Sequence, residues 1–188
     1  AQAPLTVIGS ISYGNGFRAD GVTIGGDGTG FKLGGATYSV AHVITDSLAY
    51  DNAGGGFSTN DNTGAVAMRR GTSIDNGRAG NAYPASFIAD GSSTAILEDC
   101  VKYGGYPNWF GGSVTQSYNS WNTPPGIGAE SAAWFVSLNR SLPSFACPAI
   151  GGPLLTAGHT GAQIGWTAAQ AVQIAPTPLG TPIILDLP

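Results

Sequence analysis

The sequence predicts an all-β protein of the right-handed parallel β-helix class. It reads as the C-terminal coils of such a solenoid, followed by an irregular Pro-rich cap. Three observations predict this. A short pattern recurs along the chain at uneven intervals. Glycine accounts for 30 of 188 residues while charged residues make up only 10%, against a usual charged share of about 25%. Helical periodicity is nearly absent, apart from a short helix expected at Thr167–Val172.

The repeats come first. The segment Asp46-Ser47-Leu48-Ala49-Tyr50-Asp51-Asn52 has counterparts beginning at Gly9, Arg70 and Asp99, and a weaker one beginning at Gln116. The first four follow short apolar runs: Val7-Ile8, Val43-Ile44, Val66-Ala67-Met68 and Ile96-Leu97. Strands this short bury a face and satisfy their backbone only when stacked on the coils above and below. Parallel stacking sets like residues in register, so Asn15, Asn52 and Asn76 are expected to form a ladder of side-chain amides. The right hand follows from the crossover rule for parallel strands.

Beyond this the pattern changes. Pro143, Pro148, Pro153, Pro176, Pro178, Pro182 and Pro188 crowd the C-terminal end. Proline cannot donate to a central ladder. Residues 1–142 are therefore assigned to coils, and 143–188 to a cap or tail of the same domain. An open solenoid end needs such a cover.

Composition also excludes. A net charge of −4 leaves nothing to neutralise a row of phosphates, so nucleic acid is not an expected partner. No apolar run reaches the length of a membrane span. Low charge with abundant small polar residues fits a secreted protein, and Ala1-Gln2-Ala3-Pro4 would suit either a processed end or a cut from something larger. Cys100 and Cys147 leave two readings open, a disulfide or two buried thiols.

One segment carries a resemblance. Gly28-Thr29-Gly30-Phe31-Lys32-Leu33-Gly34-Gly35, with Ser47–Asn52 and Gly56–Gly64, resembles family nine of the polysaccharide lyases, the pectate lyase-like β-helices. The likeness runs from about Gly9 to Trp166. It implies β-elimination on a polygalacturonate-type polysaccharide, with a base removing the proton next to the uronate carboxylate. It places Lys32 on the family's catalytic lysine. If Phe31 and Leu33 are core, alternation turns Lys32 to a solvent groove. The flanking glycines are expected to let a sugar approach the backbone. The resemblance also implies Ca²⁺, held in the family by an aspartate cluster one coil earlier. That coil would precede about Gly9. Asp20 and Asp27 are the only carboxylates ahead of Lys32, so no residue is assigned as a metal ligand. Ser58 stands where the family usually has an acid.

The remaining candidates have plainer readings. His42 is expected to be a hydrogen-bonded structural residue, and His159 a loop residue. Gly25–Gly30 lacks the Gly-Lys-Ser/Thr of a phosphate loop and reads as a turn. Asn60–Gly64 lacks the EF-hand spacing and reads as a turn or Asn ladder. The aromatics Tyr103, Tyr106, Trp109, Phe110, Tyr118 and Trp121 are expected as a core cluster, with a glycan-binding wall or an interface as alternatives. Asn139-Arg140-Ser141 is a glycosylation sequon. The alternative to a lyase is a non-catalytic β-helix that binds glycan or self-associates end to end, and a third reading is that the chain is one piece of a larger protein.

Overall fold

The computed structural model describes residues 2–35, 39–122 and 127–166. The expected helix at 167–172 lies outside them. Strands β1 (Thr6–Ile8), β2 (Ile11–Tyr13) and β3 (Phe31–Lys32) make the first coil. The second is β4 (Val43–Thr45), β5 (Leu48–Tyr50) and β6 (Phe57–Ser58), and the third β7 (Ala65–Arg69), β8 (Thr72–Ile74) and β9 (Phe87–Ala89). The fourth is β10 (Thr94–Glu98), β11 (Val101–Tyr103) and β12 (Trp109–Phe110), and β13 (Ser113–Ser117) begins a fifth.

The strands stack into three parallel sheets. Sheet one has the order β1-β4-β7-β10-β13, sheet two β2-β5-β8-β11 and sheet three β3-β6-β9-β12. Matched positions in successive coils lie 37, 24, 29 and 19 residues apart, yet the pairing stays in register. The surplus length is absorbed between strands. The passage from sheet one to sheet two never varies: it is two residues, Gly9-Ser10, Asp46-Ser47, Arg70-Gly71 or Asp99-Cys100. Its first residue is left-handed in every coil, at φ 61°, 51°, 46° and 56°, and Tyr118 continues the series at 55°. The fifth repeat is therefore aligned on Tyr118, two residues beyond the register that the Gln116 alignment implied. Asn119, not Asn122, then carries the coil-to-coil bond, accepting from the Cys100 amide at 2.9 Å.

The Asn ladder forms as expected. Asn15 Nδ2 donates to Asn52 Oδ1, and Asn52 Nδ2 to Asn76 Oδ1, both at 2.8 Å. Inside the coils runs a column of rings. Phe31, Phe57 and Phe87 stack at 5.2 and 4.9 Å between centroids, and Trp121 closes the column at 5.1 Å. Ile44, Val66, Met68 and Leu97 from sheet one fill the rest of this core. Each such side chain contributes about 1.5–3 kcal/mol by leaving water.

A second core lies outside the coils. Leu48, Tyr50, Ile74 and Val101 point outward from sheet two and are covered by Trp134, Phe135, Phe145, Leu154, Ile164 and Trp166. The described part of the Pro-rich region is irregular, with 3₁₀ turns at Pro153–Leu155 and His159–Gly161. It packs on this flank of the helix, where Trp166 N–H donates to Thr72 Oγ1 at 2.7 Å, and just ahead of it Arg140 bonds Asp51 and Asp75. Cys100 and Cys147 are both buried free thiols, which settles the choice between the two readings. Burial pushes the Cys100 thiol up to about 12.

Candidate active-site cleft

Sheet three positions the site. Within β3, Phe31 enters the ring column, and Leu33 just after it is buried beside the same core. Alternation then turns Lys32 outward, and its side chain is 44% exposed. It faces a cleft lined by Asp27, Thr29, Ser58, Asn60, Asp61, Tyr83, Ile88 and Asp90. The Lys32 ammonium forms an ion pair with Asp27.

Asp27 also accepts from Thr29 Oγ1 at 2.5 Å. Burial acts to raise its carboxyl, but the hydrogen bonds from Lys32 and Thr29 outweigh burial and hold it below its usual range. Asp90 closes the far side. Its Oδ1 accepts from Thr59 Oγ1 at 2.9 Å, from the Asp61 amide at 2.9 Å and from Ser93 Oγ at 3.2 Å. Ser58 pairs with Lys32 in register, and its hydroxyl accepts from the Asn60 amide at 3.0 Å. It braces the turn that forms the cleft wall.

The turn reading of Asn60–Gly64 holds in detail. Asn60 and Asp61 are left-handed, at φ 49° and 57°. The Asn62 amide is buried and fully used, donating to Leu33 O and Val40 O and accepting from the Val40 and Gly64 amides. Two of the motif glycines, Gly30 and Gly34, have another role than the one expected. A Cβ on Gly30 would lie 2.7 Å from the Gly56 carbonyl and 2.8 Å from Asn52 Nδ2. This glycine admits the next coil rather than a sugar. Gly34 likewise packs on Thr59 and Asn62.

Other candidates lie elsewhere. His42 Nδ1 accepts from the Leu5 amide at 3.0 Å, beside sheet one. The exposed His159 donates its amide to Asp99 at 3.0 Å and packs edge-on against Tyr118. The aromatic group divides. Phe110 and Trp121 pack on the inner core, Tyr103 on the flank, and Trp109 stands outside at 45% exposure.

Tyr83, Asp90 and Asp61 were not singled out as site residues from sequence. Tyr83 sits in a loop with no periodic pattern, and only the fold brings it to Lys32. The pairing of Asp27 with Lys32, five residues on, was the one local signal available.

Calcium does not fit the described residues. Among them no three His, Cys, Asp or Glu side chains converge to hold a metal. Asp27 is committed to Lys32 and Thr29, and Asp90 to three donors of its own.

Comparison with known proteins agrees with this architecture. Residues 1–90 match the family model described as the Pel9A-like, right handed beta helix region. Pectate lyase L of Paenibacillus polymyxa is 39% identical over 80 residues, covering 42% of this chain and 18% of that protein. Pectate lyase L of Dickeya dadantii is 37% identical over 122 residues, covering 62% of this chain and 26% of its own. The crystal structure of pectate lyase Pel9A superposes with a TM-score of 0.66 at 25% identity, over 85% of this chain and 44% of that one. The chain thus spans about a quarter or less of the length of these curated relatives.

Proposed function

We propose that this chain, a pectate lyase-like right-handed parallel β-helix, acts on polygalacturonate-type polysaccharide outside the cell by β-elimination, with Lys32 as the base. The observation that carries the reading is the placement of Lys32. Among the described residues it is the one cation lining the outer cleft of sheet three, on the motif that resembles the family's lysine segment. A lysine base must be neutral when it acts. As a bound uronate chain separates Lys32 from Asp27, the ammonium passes its proton to water, which leaves the neutral amine. The amine then takes the proton from the carbon beside the carboxylate. The C–H electron pair becomes the C=C bond, the glycosidic C–O bond breaks, and the departing oxygen takes a proton from water.

The product is unsaturated and absorbs in the ultraviolet. Protein supplied with polygalacturonate and Ca²⁺ should generate that absorbance, and Lys32→Ala should reduce the rate by a factor of at least about 100. Activity that survives this substitution overturns Lys32 as base. No absorbance from the unaltered protein overturns the lyase reading.

The Lys32–Asp27 ion pair favours a second reading, a glycan-binding β-helix whose lysine stays charged. This chain would then bind polygalacturonate without generating absorbance. The division into coils over 1–142 and a covering segment over 143–188 is part of the same proposal.

A further inference from the structure

We infer that Tyr83 and Trp109 form a saccharide-binding platform that extends the Lys32 cleft along the helix axis and grips a sugar ring by its apolar C–H face. The inference rests on the polysaccharide reading above.

Register fixes the layout. Lys32 pairs with Ser58, Ser58 with Ile88, and Ile88 with Trp109. The four side chains stand in one row on the outer face of sheet three. Three interstrand steps of about 4.8 Å put Trp109 about 14 Å from Lys32 along the axis. Tyr83 spans the gap: it lines the Lys32 cleft and stacks on Trp109, with centroids 6.1 Å apart and planes 14° from parallel.

The platform is held from the Lys32 side. Asn81 Nδ2 donates to the Asp27 carbonyl at 2.9 Å, and Asn81 Oδ1 accepts from the Tyr83 amide at 2.8 Å. The loop that carries Tyr83 is thereby tied to the loop that carries the Lys32 partner. Both rings nevertheless remain open to solvent, Trp109 at 45% and Tyr83 at 42%. The fold has an internal ring column, and these two rings are not part of it. Two large aromatics left exposed beside a polar cleft form a binding surface.

Stacking, not charge, sets what the platform reads. Among the described residues the cleft holds Asp27, Asp61 and Asp90 beside Lys32, so stacking carries more of the grip on the chain than its carboxylates do. The C–H face of a pyranose ring is recognised by stacking whatever the charge of its carboxyl group. The platform therefore accepts uronate and methyl-esterified uronate alike.

Calorimetric titration of the Lys32→Ala protein, which avoids turnover, tests this with tri- and hexagalacturonate and with the methyl-esterified hexamer. Adding Trp109→Ala should weaken both hexamers about fivefold to tenfold and leave the trimer unchanged, while Trp109→Phe should keep most of the affinity. Equal hexamer affinity with and without Trp109, a loss shared by the trimer, or no hexamer binding by the parent overturns the platform. Trp109-dependent binding, with no unsaturated product from the unaltered Lys32 protein, sinks the lyase reading and leaves the platform standing. Product formation together with Trp109-independent binding does the reverse.

Discussion

Arg70 occupies a left-handed corner position, and its guanidinium reaches back one coil to both oxygens of Asp46 at 2.6 Å. Burial acts to raise the Asp46 carboxyl, but the Arg70 and Thr45 hydrogen bonds prevail and lower it. A carboxyl lowered on folding adds stability above its unfolded value, near about 4. That stability is lost as pH falls through the lower folded value. Asp46→Asn should therefore cost about 1–2 kcal/mol at neutral pH and progressively less as the pH is taken below about 4, as read from urea unfolding across an acid series. At this scale the sequence was informative where alternation governs. Phe31-Lys32-Leu33 announces which way Lys32 faces. The Asp46–Arg70 pair was not legible, because it depends on a coil length that no local pattern specifies.

Among the elements, the ladder of Asn15, Asn52 and Asn76 was legible because asparagine is suited to bond its own copy in the next coil. Asn52 is the member with most to lose. Its Oδ1 accepts from the Asn15 amide at 3.1 Å as well as from the Asn15 side chain, and its Nδ2 also donates to Ser12 O at 3.1 Å. Asn52→Ala should cost about 2–4 kcal/mol by leaving several buried groups without partners. Asn15→Ala, at the exposed end of the ladder, should cost less; denaturant midpoints compare the two. The last repeat is hard to align because its corner residue is the aromatic Tyr118, where the earlier corners carry Gly9, Asp46, Arg70 and Asp99. Asn108 takes the place after Phe87 in the column, donating nothing to ring stacking but accepting the Phe87 amide at 3.2 Å, and Trp121 fills the column from another loop.

The whole molecule depends on the second core. Phe145 is fully buried, meets Tyr50 edge-on at 4.8 Å and lies under the Arg140 guanidinium at 5.4 Å. Phe145→Ala should destabilise by about 3–4 kcal/mol and raise binding of a hydrophobic dye, as the outward face of sheet two opens. A loss of stability without extra dye binding would mean that the flank stays closed. Sequence marked this region only by its prolines. Its attachment to sheet two is made by contacts far apart in the chain, such as Trp166 with Thr72 and Arg140 with Asp51, and periodicity carries no record of those. The metal expected from the family resemblance is the other gap, since the described residues offer it no cage.

The constant corner between sheets one and two has a further consequence. Because Gly9-Ser10, Asp46-Ser47, Arg70-Gly71 and Asp99-Cys100 are all of one length, the chain has a ruler on one edge and free margins on the other two. Insertions in the margins leave the stacking undisturbed, and one margin carries Asp27 and Tyr83, the walls of the cleft. The ligand-facing rim can therefore be rewritten from one descendant to the next, by addition or loss of whole loops, while the count of rungs beneath it stays the same.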